Sequence, residues 1–178
     1  MQKLIAVLAV AFTVFAAQAR DPYDVHPCQI SIFPPIQIFE EEVHITGLKL
    51  NLLYGYNTAV SGFDFGLFSG AGDFEGIQLN LVNNVQEEAR GLRLSLLNLS
   101  DDSEGIEIAP INYASVGAEG LRIGLINVAA ESKGLQIGLV NYTRHMRGIQ
   151  IGLINVIAES KVSFMPITLI RPIWMPRM

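Results

Sequence analysis

The side chains able to do chemistry in this chain of 178 residues are few and scattered. A zinc site draws on several Cys, His or carboxylate ligands, often at short recurring spacings. His26, His44 and His145 stand far apart, and none has a carboxylate or cysteine at such a spacing. His145 sits in the polar stretch Tyr142-Thr143-Arg144-His145-Met146-Arg147 and reads as a solvated turn residue. Cys28 is the sole cysteine, so an internal disulfide is impossible and a quiet thiol is expected. Two acidic clusters, Glu40-Glu41-Glu42 and Asp101-Asp102-Ser103-Glu104, offer the hard oxygens that calcium prefers. Calcium-binding β-rolls carry an Asp-rich motif in every coil, whereas here one turn alone is dense in Asp, so both clusters read as solvated turns. Glycosidase chemistry needs two carboxylates facing each other across a cleft, and nothing in the sequence places one. No nucleophile elbow, phosphate-binding glycine loop or H-E-x-x-H motif occurs. No catalytic, cofactor-binding or metal-ligating residue is therefore assigned, no cofactor is implied, and a non-enzymatic protein is expected.

Charge and hydropathy narrow the class further. The net charge is -5, and no run of four basic residues exists, which argues against binding nucleic acid through its phosphates. Residues 1–19 have a basic start at Lys3, an apolar run from Leu4 to Phe15 and a small-x-small end, Ala17-Gln18-Ala19. That is the pattern of a secretory signal peptide, with an apolar run shorter than the roughly 20 residues of a membrane-spanning helix. Cys28 lies too far from Ala19 to be a lipid-modified cysteine at the cleavage point. No later stretch is long and apolar enough for a transmembrane helix.

The elements that must position whatever function exists are repeats. Gly134-Leu135-Gln136-Ile137-Gly138-Leu139-Val140-Asn141 returns fourteen residues later as Gly148-Ile149-Gln150-Ile151-Gly152-Leu153-Ile154-Asn155. Units begin at Gly47, Gly62, Gly76, Gly91, Gly105, Gly120, Gly134 and Gly148, at steps of 14 or 15 residues. Apolar residues at positions 2 and 4 alternate with polar or small ones, which is the period of a strand; two glycines in most units would weaken a helix by about 1 kcal/mol each. The face carrying Leu121, Ile123, Leu125, Leu135, Ile137, Leu139, Ile149, Ile151 and Leu153 is expected to be buried. Positions 6 and 7 are apolar on both faces, so either a turn of the coil or a covering element is expected there.

Two architectures fit a strand every 14 residues: a β-solenoid of about eight coils, and an antiparallel up-and-down meander or barrel. In a solenoid equivalent positions stack about 4.8 Å apart, where like charges are destabilising. Position 3 reads Lys49, Asp64, Gln78, Arg93, Glu107, Arg122, Gln136, Gln150, and every charged neighbour pair is of opposite sign. The residue before each Gly shows no such rule, since Glu104 would meet Glu119 and Lys133 would meet Arg147. The recurring Asn83, Asn98, Asn112, Asn127, Asn141 and Asn155 suit a hydrogen-bonded Asn ladder, or plain turns that a meander would use as well. The solenoid is the favoured reading and the meander or barrel the alternative. Phe33-Pro34-Pro35-Ile36-Gln37-Ile38 and Phe164-Met165-Pro166-Ile167-Thr168-Leu169 read as caps, because proline suits sheet edges. Pro110, inside the fifth unit, predicts an irregular coil or a bulge. The organisation expected is a signal peptide at 1–19, an N-terminal segment at 20–32 with Arg20 to Cys28 loosely held, one repeat domain over 33–170, and a loosely held tail over 171–178.

These residues resemble the bacterial exported surface-repeat proteins built from G-[LVI]-Q-[LI]-G-[LV]-[VI]-N units. The resemblance spans about Pro34 to Leu169 and is most specific in Gly47-Leu48-Lys49-Leu50-Asn51-Leu52-Leu53-Tyr54-Gly55-Tyr56-Asn57 and in Gly62-Phe63-Asp64-Phe65-Gly66-Leu67-Phe68-Ser69. It implies export to the cell surface or outer membrane, with the periplasm as another destination, and it carries over no activity. Most units lack the aromatic that often follows the Asn, with Tyr113 and Tyr142 as exceptions, and Met178 stands where an outer-membrane barrel would place a terminal aromatic. The expected role is structural or interactive at the cell envelope, with an unidentified envelope or extracellular partner; an outer-membrane β-barrel acting as a pore or scaffold is the alternative. The row Lys49, Asp64, Arg93, Glu107, Arg122, Gln136 and Gln150 is expected to be exposed and to belong to the contact face.

Overall fold

The computed structural model describes residues 25–33 and 36–159, with residues 164–171 described as backbone alone. The expected signal peptide at 1–19, Pro34, Pro35 and residues 172–178 of the tail lie outside the described residues. The elements are β1 (Val25–Phe33), β2 (Ile36–Gln37), β3 (His44–Leu94), β4 (Leu97–Ile108), β5 (Ile111–Ile123), β6 (Ile126–Ile137), β7 (Val140–Ile157) and β8 (Phe164–Arg171), in the order β2-β1-β3-β4-β5-β6-β7-β8. Pairing from β1 through β7 is parallel, and it sets each repeat on the one before: Gly91 on Gly105, Gly105 on Gly120, Gly120 on Gly134, Gly134 on Gly148. β3 is itself wound, since Gly62, Gly76 and Gly91 each lie against the backbone of the preceding repeat glycine. The protein is a β-solenoid, and the parallel registers exclude the antiparallel meander and barrel.

Each coil has three corners. The first is the repeat glycine, whose φ lies between +117° and +146° throughout the stack. Only glycine adopts such angles readily, and a Cβ on Gly120 would also run into the carbonyl oxygen of Gly105. The second is the bend at positions 5 and 6, seen at 95–96, 109–110, 124–125 and 138–139. There the ladder continues through bonds such as Gly124 N–H to Ile137 O (2.9 Å) and Val140 N–H to Leu125 O (2.9 Å). The third absorbs the difference between 14- and 15-residue units: the register shifts between Val85 and Glu88 and again between Ala114 and Gly117.

Pro110 makes no irregularity of its own. It occupies the same bend as its counterparts, and the register runs unshifted from Ile108 to Ile111 against Ile123 and Ile126. Its missing N–H is not required, because the Ile111 N–H reaches Leu96 O instead (3.3 Å).

The ends are capped by antiparallel pairing, β2 on β1 and β8 on β7, the latter with Arg171 opposite Gly148. At the N-terminal end the expectation of a loosely held chain up to Cys28 is corrected. Val25 to Cys28 are held in β1, with Cys28 beside Leu48 and Gln29 beside Lys49. Pro27-Cys28-Gln29-Ile30-Ser31-Ile32-Phe33 is thus a degenerate unit with proline in place of the glycine.

Candidate functional site: an apolar outer surface over a polar interior

The three corners reset the in-out alternation of side chains and divide the coil into three flanks. From Gly76 onward, positions 3, 8, 10 and the residue two before the next glycine point inward, and positions 2, 4, 6, 7 and 9 point outward. The expected orientation is therefore reversed. Lys49, Asp64, Arg93, Glu107, Arg122, Gln136 and Gln150, expected on an exposed contact face, are at most 4 % exposed, and Gln78 of the same column is buried too. The face expected to be buried is outside: Leu125, Leu139 and Leu153 are 53, 50 and 64 % exposed, and Leu121, Ile123, Leu135, Ile137, Ile149 and Ile151 are partly or fully exposed.

Most buried polar side chains find partners within the stack, many of them one coil away, while among the described residues six buried side-chain atoms, Asn80 Oδ1 and Arg93 Nε among them, make no hydrogen bond. Asn83 Nδ2 donates to Asn98 Oδ1 (2.9 Å), Asn98 to Asn112 (2.9 Å), Asn112 to Asn127 (2.9 Å), Asn127 to Asn141 (2.8 Å) and Asn141 to Asn155 (2.8 Å). Asn112 Nδ2 also reaches the corner carbonyls of Ala109 and Ile123, both at 3.1 Å, so the ladder fastens the bend as well. Position 3 forms a second column. Glu107 sits between two guanidiniums, accepting from Arg93 Nη2 and, at 2.5 Å, from Arg122 Nε. Arg122 also donates to Val128 O (2.9 Å) and Ser103 Oγ (3.0 Å). Burial pushes the Glu107 carboxyl up, but Arg93 and Arg122 outweigh it and hold the group below the ordinary carboxylate value. Burial likewise lowers the Arg122 guanidinium, against the pull of Glu107. In the unit that begins at Gly62, Asp64 accepts from Asn51 Nδ2 (2.7 Å), Gln78 Nε2 (2.9 Å) and Ser69 Oγ. Lys49 Nζ donates to Gly70 O (2.6 Å), and burial lowers its pKa to about 8 despite the opposing charge of Asp64.

The apolar interior is only a strip. Val60, Ala71, Phe74, Val85 and Ala89 make one cluster, Ala114, Ala118 and Ala129 a second, Met146 and Ile157 a third. Its residues are small in the coils of Arg93 and Glu107 (Ser100, Ser103, Ala114, Ala118), and larger in the coils of Asp64 (Phe74) and Gln136 (Met146).

The outside has two apolar flanks and one charged one. Positions 2, 4, 6 and 7 are apolar in every unit from Leu48 to Ile154, with no charge among them. The third flank, just before each glycine, carries Arg90 between Glu88 (2.8 Å) and Glu104 (3.5 Å), and Lys133 on Glu119 (2.7 Å). Glu104 and Glu119 are in register there, which is tolerable because both are exposed to water. A shallow open groove of about 630 Å³ runs along this flank, and the acidic cluster Asp101, Asp102 and Glu104 lines it beside Lys133, His145 and Arg147. Burial, Glu88 and Asp101 raise the Asp102 carboxyl. Glu40, Glu41 and Glu42 are exposed, His26 stacks on Phe39 at 3.6 Å between ring centroids, and His145 faces Glu159 at 3.2 Å. The structure does not gather these residues into one site, and among the described residues no three metal-binding side chains converge.

The chain matches none of the protein-family models, curated proteins or solved structures with which it was compared.

Proposed function

We propose that the protein is an exported, non-enzymatic surface-repeat protein with a structural or interaction role at the cell envelope. One observation carries the reading: the stack pairs most of its buried polar side chains internally and presents unbroken apolar columns outward on two of its three flanks. Monomeric soluble proteins seldom expose a contiguous apolar patch beyond a few hundred Å², and larger ones mark interaction sites. The N-terminal export pattern and the resemblance to exported surface-repeat proteins support the same reading. Parallel coils that close no barrel argue against a pore, so association with the outer membrane would be peripheral. Fractionation of cells expressing the full chain tests this. The proposal expects a processed protein shortened by about the length of a signal peptide, recovered with the envelope or at the cell surface. An unprocessed protein in the cytosolic fraction would overturn it.

A further inference from the structure

We infer that the two apolar flanks and the corner between them form a lipid-contact surface, on which the solenoid lies lengthwise with its charged flank toward water. The inference rests on the reading above, a protein that works by contact at the envelope, and names the partner. Its first support is shape. The apolar columns turn a convex corner, and the corner is among their most exposed parts, with Leu52 63 % and Leu153 64 % exposed. A second copy of the chain could cover one flank; an acyl phase covers both flanks and the corner together.

Segregation of charge is the second support. No charged residue stands at positions 2, 4, 6 or 7 of any unit, whereas Arg90, Glu104, Glu119 and Lys133 share the opposite flank. That is the division of an amphipathic element lying in a membrane interface, its apolar face sunk by roughly 5–10 Å. Third, Tyr113 and Tyr142 point outward between the apolar corner and the charged flank. Tyrosine favours that level, with its ring in the acyl boundary and its hydroxyl among headgroups. Fourth, the backbone along these flanks is already paired coil to coil, so lipid contact leaves few N–H or C=O groups unsatisfied.

The net charge of -5 and the acid-rich outer flank make anionic headgroups unnecessary. Binding is therefore driven by apolar area, and neutral bilayers suffice.

The test is flotation of the purified, processed protein with vesicles of phosphatidylcholine alone and of phosphatidylcholine mixed with phosphatidylglycerol, at low and high salt. It should float with both, equally at either salt. The corner variant Leu125→Glu/Leu139→Glu should partition at least ~tenfold more weakly, and Lys133→Glu should float like the parent. A fluorescence reading covers the chance that the corner variant misfolds. In a Trp174→Phe background, Leu125→Trp should be quenched by phosphatidylcholine brominated on its acyl chains, and Lys133→Trp should not. Protein that stays at the bottom of the gradient, or sediments as an oligomer indifferent to vesicles, overturns the inference. So does flotation that needs phosphatidylglycerol and is reversed by salt. Failure to float by a protein that fractionates with the envelope refutes the lipid surface alone; a cytosolic, unprocessed protein refutes the underlying reading.

Discussion

Replacing Glu107 with glutamine would leave a buried guanidinium on either side of it with no counter-charge. Arg93, Glu107 and Arg122 are 1, 4 and 3 % exposed, and both arginines donate to the same carboxylate. Removing one partner of a buried pair costs about 3–5 kcal/mol, because the remaining charge is stranded in a poorly polarisable interior. Glu107→Gln preserves the shape, so the loss isolates the charge. The same column supplies a rescue. Gln136 donates to Ser132 Oγ (2.8 Å) and accepts from Gln150 (2.8 Å), and Ser103 stands to position 107 as Ser132 stands to position 136. The triple variant Arg93→Gln/Glu107→Gln/Arg122→Gln should therefore recover to within about 1–2 kcal/mol of the parent. Urea unfolding followed by far-UV circular dichroism reads both, as midpoint shifts at unchanged slope. A loss below about 1 kcal/mol in the single variant, or a triple variant as unstable as the single one, would refute the reasoning.

The titration of this column yields further outcomes. The Glu107 carboxyl is held below its ordinary value of 4.5, so its contribution is complete above that pH and is lost as pH falls through the lower folded value. Urea midpoints in acid should fall for the parent and much less for the triple variant. Lys49 has the opposite sense: its folded pKa, lowered from 10.5 to about 8, means the unfolded chain binds more protons between those values. Stability should rise across that window by roughly 3 kcal/mol, and the rise should be missing from Lys49→Met. Asn112→Ala strands the Asn98 amide and the Asn127 oxygen, two buried groups at about 1–3 kcal/mol each, and should lower the thermal midpoint accordingly. Gly120→Ala, with its positive φ and the Gly105 carbonyl in the way, should cost about 1–3 kcal/mol or more. Gly117→Ala, which meets only the flexible end of the Asp102 side chain, should cost clearly less in the same assay.

The stacking was legible because charge complementarity at position 3 makes sense only if equivalent residues touch. The Asn column and the double-apolar positions 6 and 7 likewise foretold the ladder and the bend. The in-out sense was not legible by the rule that apolar residues face inward. That rule fails when polar residues satisfy one another coil to coil, since Asn112 or Glu107 then needs no water. A usable signal was present in the contrast between two columns. Position 3 never places like charges together, as a weakly screened interior demands, whereas the residue before each glycine places Glu104 on Glu119 and Lys133 on Arg147, as water permits. The degenerate unit at β1 escaped because proline replaces its glycine; Gln29, buried at the end of the position 3 column, was its trace.

The central claim, polar columns inside and apolar columns outside, is tested most directly by cysteine reactivity around one coil. In a Cys28→Ser background, single cysteines at Gln136, Asn141, Leu139 and Tyr142 would be exposed to a bulky water-soluble maleimide in the lipid-free protein. The structure predicts rapid labelling at 139 and 142 and protection at 136 and 141 until urea unfolds the chain. Rapid labelling at 136 with protection at 139 would mean that the apolar columns form the core, and the account would be wrong.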